Sequence, residues 1–142
     1  MSAILIPVDG SDNALRAVNF AIAQAPQYKD GPEIHLLNVQ LSVASGAVRK
    51  FIGRSELDHY YQDEGMVALA SARKLLDAAG SRYHHHISAG AYAQTIVACA
   101  QEKGCDMIVM GARGLGSVAG LLLGSVATQV IHLSPLPVLV IK

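Results

Sequence analysis

The sequence predicts an α/β fold, a single doubly wound domain on a parallel sheet with helices on both faces. Three observations predict it. Short apolar runs of strand length alternate with segments whose apolar residues recur at helical spacing. The runs are apolar throughout instead of alternating, as strands buried on both faces are. The length of 142 residues fits one domain spanning 1–142, since domains cluster near ~100–150 residues.

The elements follow in order. Ala3 to Val8 is an apolar run bounded by Asp9-Gly10, and reads as the first strand. Ser11 or Asp12 can cap a helix in which Ala14, Leu15, Val18, Ala21, Ile22 and Ala25 recur until Pro26. Glu33 to Val39 is the second strand run. Leu41 to Gly53 has no clean period and reads as a loop or a loosely formed helix. A long helix runs from about Glu56 to Ala79, with Gly80 where a left-handed cap would sit. Arg82 to Ser88 is a more polar third strand. Ala91 to Lys103 is helical and stops at Gly104; Cys105 to Met110 is a fourth apolar run. A glycine-rich segment, a helix from about Ser125 to Leu133 and a last strand, Val138 to Ile141, complete the chain.

Composition excludes several classes of function. Hydrophobic residues are 51% and charged residues 15%, so the chain is not disordered. Eleven basic residues balance eleven acidic ones, which leaves no broad field for nucleic acid or an anionic membrane. With no Trp and two Phe, a base-stacking surface is not expected. The opening residues lack a basic stretch, and their apolar run breaks at Pro7 and Asp9, unlike a signal peptide. Residues 114–127, 14 residues with six Gly and Ser, are too short to span a bilayer. Cys99 and Cys105 fit no C-x-x-C spacing and read as buried hydrophobes in a reducing compartment. A cytoplasmic protein without membrane insertion is the expectation.

Ligands of open parallel sheets bind outside the carboxyl ends of the strands, where strand order reverses. Two junctions qualify: Pro7-Val8-Asp9-Gly10 and Met110-Gly111-Ala112-Arg113-Gly114. After the second, Gly111, Gly114, Gly116, Gly120 and Gly124 fall within 14 residues. Glycine lets backbone N–H groups approach an anion closely, and a helix opening at Gly124-Ser125 adds its own N–H groups and dipole. No Lys follows these glycines as a P-loop requires. Gly114 to Ala119 satisfies G-x-G-x-x-A, yet it follows the fourth strand and no acidic residue stands beyond it for a ribose, so the match is accidental.

The spacing Gly111-x2-Gly114-x9-Gly124-Ser125 resembles the nucleotide-binding signature of the universal stress protein family, in its ATP-binding branch. Ile4 to Ser11, Asp106 to Gly114, Gly124 to Ala127 and Pro137 to Ile141 are similar to the family's ends and fourth strand. The resemblance covers essentially the whole chain, most loosely at residues 41–65. It implies five parallel strands in the order 3-2-1-4-5 and a homodimer, often paired through the last strand. Carried over by position, it implies that Pro7, Val8 and Asp9 line an adenosine pocket, with Asp9 near ribose or a metal on the phosphates. Val39 would contact adenine; Met110, Gly111, Arg113 and Gly114 would frame ribose and phosphates; Gly124, Ser125 and Val126 would close on the phosphates. The cofactor implied is ATP, with ADP or AMP in its place and Mg2+ accompanying the nucleotide. Ala127 stands where ATP-binding members often have Ser or Thr. One lost hydrogen bond to a charged group, ~1.5–3 kcal/mol, would weaken discrimination among ATP, ADP and AMP.

No catalytic residues are assigned. No Ser-His-Asp context, nucleophile elbow or carboxylate pair is present, and only Arg113 offers charge stabilisation, so at most slow ATP hydrolysis is expected. No metal site is assigned either. His84 and His86 share one face of a strand, about 6.6–6.8 Å apart, with no Cys, Asp or Glu nearby in sequence. His35, His59 and His132 read as scattered surface or partly satisfied histidines, and Tyr60 and Tyr61 as packing groups. Three readings stand in order: a nucleotide-binding regulatory protein whose 41–55 and 111–124 loops respond to its ligand, an interaction module with an empty pocket, and an ATPase. The regulated partner is not named by any residue.

Overall fold

Every predicted strand run forms a strand in the computed structural model, which describes residues 2–42, 53–115, 120 and 122–142. The order is β1 (Ala3–Pro7), α1 (Asp12–Gln24), β2 (Glu33–Gln40), α2 (Arg54–Ala78), β3 (Tyr83–Ala89), α3 (Tyr92–Glu102), β4 (Met107–Gly111), α4 (Ser125–Leu133) and β5 (Val138–Ile141). A short 3-10 turn, Ala25–Gln27, follows α1 where Pro26 interrupts it. The predicted loop or loose helix at 41–53 lies, for residues 43–52, outside the described residues.

Local chemistry sets the helix ends. The Ser11 hydroxyl accepts a 3.2 Å hydrogen bond from the Ala14 N–H, so Ser11 is the cap of α1. Both α2 and α3 end in the same closure. Gly80 and Gly104, at φ +67° and +66°, turn the chain left-handed, as residues with a Cβ rarely do. The next N–H then reaches back to the helix, Ser81 to the Leu76 carbonyl at 3.0 Å and Cys105 to the Ala100 carbonyl at 2.9 Å.

The strands form one parallel sheet in the order β3-β2-β1-β4-β5. One face carries Ile4, Ile6, Val8, Ile34 and Leu36 against α1 and α2, with Val18 and Leu76 fully buried there. The other carries Leu5, Leu37, Ile108 and Met110 against α3 and α4, with Ile96 and Val130 between them. This segregation follows from winding. The chain steps outward from β1 to β3 with helices on one face, crosses back to β4, and steps outward again with helices on the other. Cys99 and Cys105 are buried in the second core, where burial raises both thiols, Cys105 to about 11.

One polar group sits among the apolar ones of β2. Asn38 is 2% exposed; its amide donates to the Val8 carbonyl at 2.8 Å, and its oxygen accepts from the Gln40 amide at 2.6 Å. Val8 lies just beyond β1, and its own N–H donates to the Leu37 carbonyl at 2.8 Å. Asn38 thus extends the β1–β2 pairing by one residue, at the end of the sheet where ligands bind in this architecture. Replacing it by Leu strands a buried carbonyl. Asn38→Leu is expected to lose ~1–3 kcal/mol, read as a lower urea midpoint at unchanged slope.

Candidate functional site

Strand order reverses between β1 and β4, neighbours whose chains continue toward opposite edges of the sheet. Their carboxyl ends open the crevice that such sheets use for ligands. Two close approaches build it. At Gly111, the last residue of β4, an added Cβ would lie 2.8 Å from the Asn13 carbonyl, so the first turn of α1 seats directly on the strand end. The Asn13 side chain then accepts from the Arg113 N–H at 3.3 Å. At Gly114 an added Cβ would collide with the Asp9 carboxylate.

Asp9 ties the two loops together. One carboxylate oxygen accepts from the Ser11 N–H and the other from the Leu115 N–H, both at 2.9 Å. A carboxylate has about four acceptor positions, of which donors among the described residues fill two. Arg113 is half-buried, and among the described residues its guanidinium makes no ion pair. The start of α4 is drawn to the same place, since the Gly124 N–H donates to the Ala112 carbonyl at 2.7 Å. Among the described residues no side chain caps that helix, and the N–H groups of its first turn have no intrahelical partners.

The predicted residues divide by exposure. Val8 (2%) and Met110 (5%) are buried in opposite cores and shape the crevice from beneath, with Gly111 and Gly124 buried as well. Pro7, Asp9, Val39, Arg113, Gly114, Ser125 and Val126 retain exposed surface. Val39 is at the end of β2, two strands from β4, and packs on the α3–α4 core. Ala127, 2% exposed, turns into that core, and so it presents no surface to the crevice. Of the glycine-rich segment, residues 116–119 and 121 lie outside the described residues. An apolar cavity of about 140 Å³ against Ile4, Phe20, Tyr28 and Leu139 lies toward the opposite ends of the strands.

Sequence reasoning missed Asn13 and the Asn38 relay. An Asn within the apolar run Leu36-Leu37-Asn38-Val39 was the available signal. The histidines also assort differently from expectation. His35 is 5% exposed; the His84 ring stacks on it with 4.9 Å between centroids, and the His86 ring lies nearly coplanar with it, edge to edge, at 5.2 Å. Its Nδ1 lies 2.9 Å from His86 Nε2, and its Nε2 lies 2.9 Å from Glu33 Oε1. Burial, followed by the charges of Lys103 and the neighbouring imidazoles, lowers His86 to about 4. The acidic partner absent near residues 84–86 in sequence comes from β2, through the register His35 opposite His84.

Comparison with known proteins assigns the architecture. The model of the universal stress protein family matches residues 1–142. The chain belongs to that family. It is 36% identical over 140 residues to universal stress protein MJ0531 of Methanocaldococcus jannaschii, covering 98% of this chain and 81% of that one. Among solved structures, it superposes on MJ0577 with a TM-score of 0.84 at 31% identity, over 99% of this chain and 95% of that one. For UspA of Lactobacillus plantarum the values are 0.81 and 26%, over 99% and 97%. Two more distant family structures share the fold: one in complex with cAMP (TM-score 0.67, 24% identity, 99% and 96% covered) and one from Arabidopsis thaliana with AMP bound (0.69, 19%, 100% and 92%). No helix among the described residues is long and apolar enough to cross a membrane.

Because the Asp9 carboxylate joins the turn after β1 to the Leu115 N–H, Asp9→Ala should speed hydrogen exchange at the Leu115 amide and cost ~1–3 kcal/mol in stability. Asp9→Asn, which keeps one acceptor oxygen, should fall between the two.

Proposed function

We propose that this chain binds an adenine nucleotide in the crevice between β1 and β4 and acts as a regulatory protein through that ligand. The observation that carries the reading is convergence at one place of three groups suited to a nucleotide. Asp9 has acceptor positions to spare for ribose hydroxyls, Arg113 supplies a cation, and the first turn of α4 supplies N–H groups for phosphate. Gly114 lets the Asp9 carboxylate sit directly against the loop after β4, in the place that a side chain would fill. Family structures holding cAMP and AMP support adenine nucleotides as the ligand class.

Within this reading, Pro7 and Val39 border the base, Asp9 meets ribose or a Mg2+ ion carried by the phosphates, and Gly111, Arg113 and Gly114 frame the ribose and phosphates. Gly124, Ser125 and Val126 bring the helix start to the phosphates, above Val8 and Met110. ATP, ADP and AMP all suit these groups; Mg2+ would neutralise charge on the phosphates when it accompanies them. Among the described residues none is placed as a base for an attacking water, and in this reading the protein holds the nucleotide and any hydrolysis is slow. The chain 1–142 forms one nucleotide-binding domain.

A second copy of the chain is the partner we assign to β5. Its four residues are half-buried, and β5 pairs only with β4, leaving a short apolar edge. Two β5 edges can pair about a two-fold axis.

Calorimetric titration of nucleotide-stripped protein with Mg-ATP, ADP and AMP tests the binding reading. One saturable site per chain is expected. Gly114→Val should fold and lose the heat, while Arg113→Ala should weaken ATP by about tenfold to a hundredfold, and more than AMP. Absence of heat and of thermal stabilisation in the parent protein would favour the empty-pocket interaction module. Separately, Val140→Lys, at a position packed into neither core, should convert a dimer to a monomer in sedimentation without lowering monomer stability.

A further inference from the structure

We propose that Glu33, His35 and His84 form a binding site for one divalent transition-metal ion of the zinc type, at the end of the sheet opposite the crevice. Their ligand atoms all lie within 4.8 Å of one another. Glu33 Oε1 is 2.9 Å from His35 Nε2 and 3.5 Å from His84 Nε2. Metal–ligand bonds of ~2.0–2.1 Å in a tetrahedron separate ligands by about 3.3 Å, so the first contact opens slightly and the second closes slightly. The two imidazoles lie stacked, with 4.9 Å between centroids and ligand atoms within 4.8 Å, so the His84 ring turns about its side-chain bonds to aim its nitrogen at the same ion. Two of the three ligands are imidazole nitrogens, which select zinc, copper, nickel or cobalt over the oxygen-seeking Mg2+ and Ca2+.

The support around these atoms is what separates the cluster from a chance meeting of surface groups. Metal-ligating histidines usually donate their other ring N–H to a partner that fixes the ring, and His86 Nε2 stands 2.9 Å from His35 Nδ1. Without an ion, the His35 proton sits on Nε2 and is donated to Glu33, while His86 donates its own Nε2 proton to His35 Nδ1. With an ion on His35 Nε2, that proton sits on Nδ1 and is donated to His86 Nε2, whose own proton passes to its Nδ1. Two tautomers exchange, and no proton need leave the protein. His86 is thus a positioning residue. His35 is buried and held on both sides, whereas the His84 and Glu33 side chains are 60% and 39% exposed, which leaves the fourth coordination position to water.

The strands themselves make the site. His35 and His84 are register partners on adjacent parallel strands, and Glu33 is two residues before His35, on the same side of β2. Four residues of strand, about 13 Å, separate His35 from Val39. The proposed metal site is therefore separate from the nucleotide crevice and stands or falls independently of it.

Titration of tag-free, chelator-treated protein with CoCl2 tests the proposal. The expected result is the d–d absorption of tetrahedral cobalt, saturating at one ion per chain and bleached by one equivalent of ZnCl2. Glu33→Gln and His84→Ala change side chains that reach solvent, keep the fold by circular dichroism, and should abolish the band. His85→Ala, adjacent in sequence but on the other face of β3, should leave it intact. His86→Ala should weaken cobalt ~10–100-fold, with part of the affinity restored in His86→Gln, which keeps an acceptor. No saturable band, a band that survives in both Glu33→Gln and His84→Ala, or one lost equally in His85→Ala would overturn the assignment.

Discussion

Two adjacent strands whose chains depart toward opposite edges leave a gap at their carboxyl ends, and the Asp9 carboxylate spans it. Its two oxygens hold the Ser11 and Leu115 amides, and thereby keep the loop after β4 against the turn after β1. Much else follows from that span. Gly114 must lack a side chain because the carboxylate occupies its place. Gly111 must lack one because α1, capped by Ser11 beside Asp9, begins against the end of β4. The start of α4 then comes in through Gly124 and Ala112, so a helix terminus, a cation and a carboxylate share one end of the sheet.

The fold was legible because its signals are local. Apolar runs without alternation report strands covered on both faces, and Gly80 and Gly104 stop their helices by a backbone conformation that composition betrays. The order of the strands was legible only through resemblance, since periodicity says that strands are parallel and is silent on which neighbours they choose. The site was legible in part. Glycine spacing marks where a backbone must come close, and Asp9 and Arg113 stand at strand ends where chemistry is expected. What each glycine faces is a long-range fact: Asn13 lies 98 residues from Gly111, and no sequence pattern links them.

The histidines show the same limit from the other side. His84-His85-His86 was visible at once, while its acidic partner was not, because strand register supplies Glu33 from 51 residues away. His35 read as an unremarkable histidine because burial is decided by what packs on β2, and β3 covers its edge with two more imidazoles. The sheet therefore differs at its two ends. At the carboxyl ends functional groups sit on loops and helix starts; at the amino ends they sit on paired strands, where geometry is set by the ladder itself.

The buried thiols have a consequence for how the protein meets an oxidant. Cys99 and Cys105 are 6% and 5% exposed, and their surroundings keep both protonated near neutral pH. Peroxide attacks thiolates, so these two cysteines offer it almost nothing to oxidise. A change in redox state is consequently not written into this protein through Cys99 or Cys105. Oxidant that reaches the folded chain therefore meets two thiols in their unreactive form, inside a core that must open before either can be attacked.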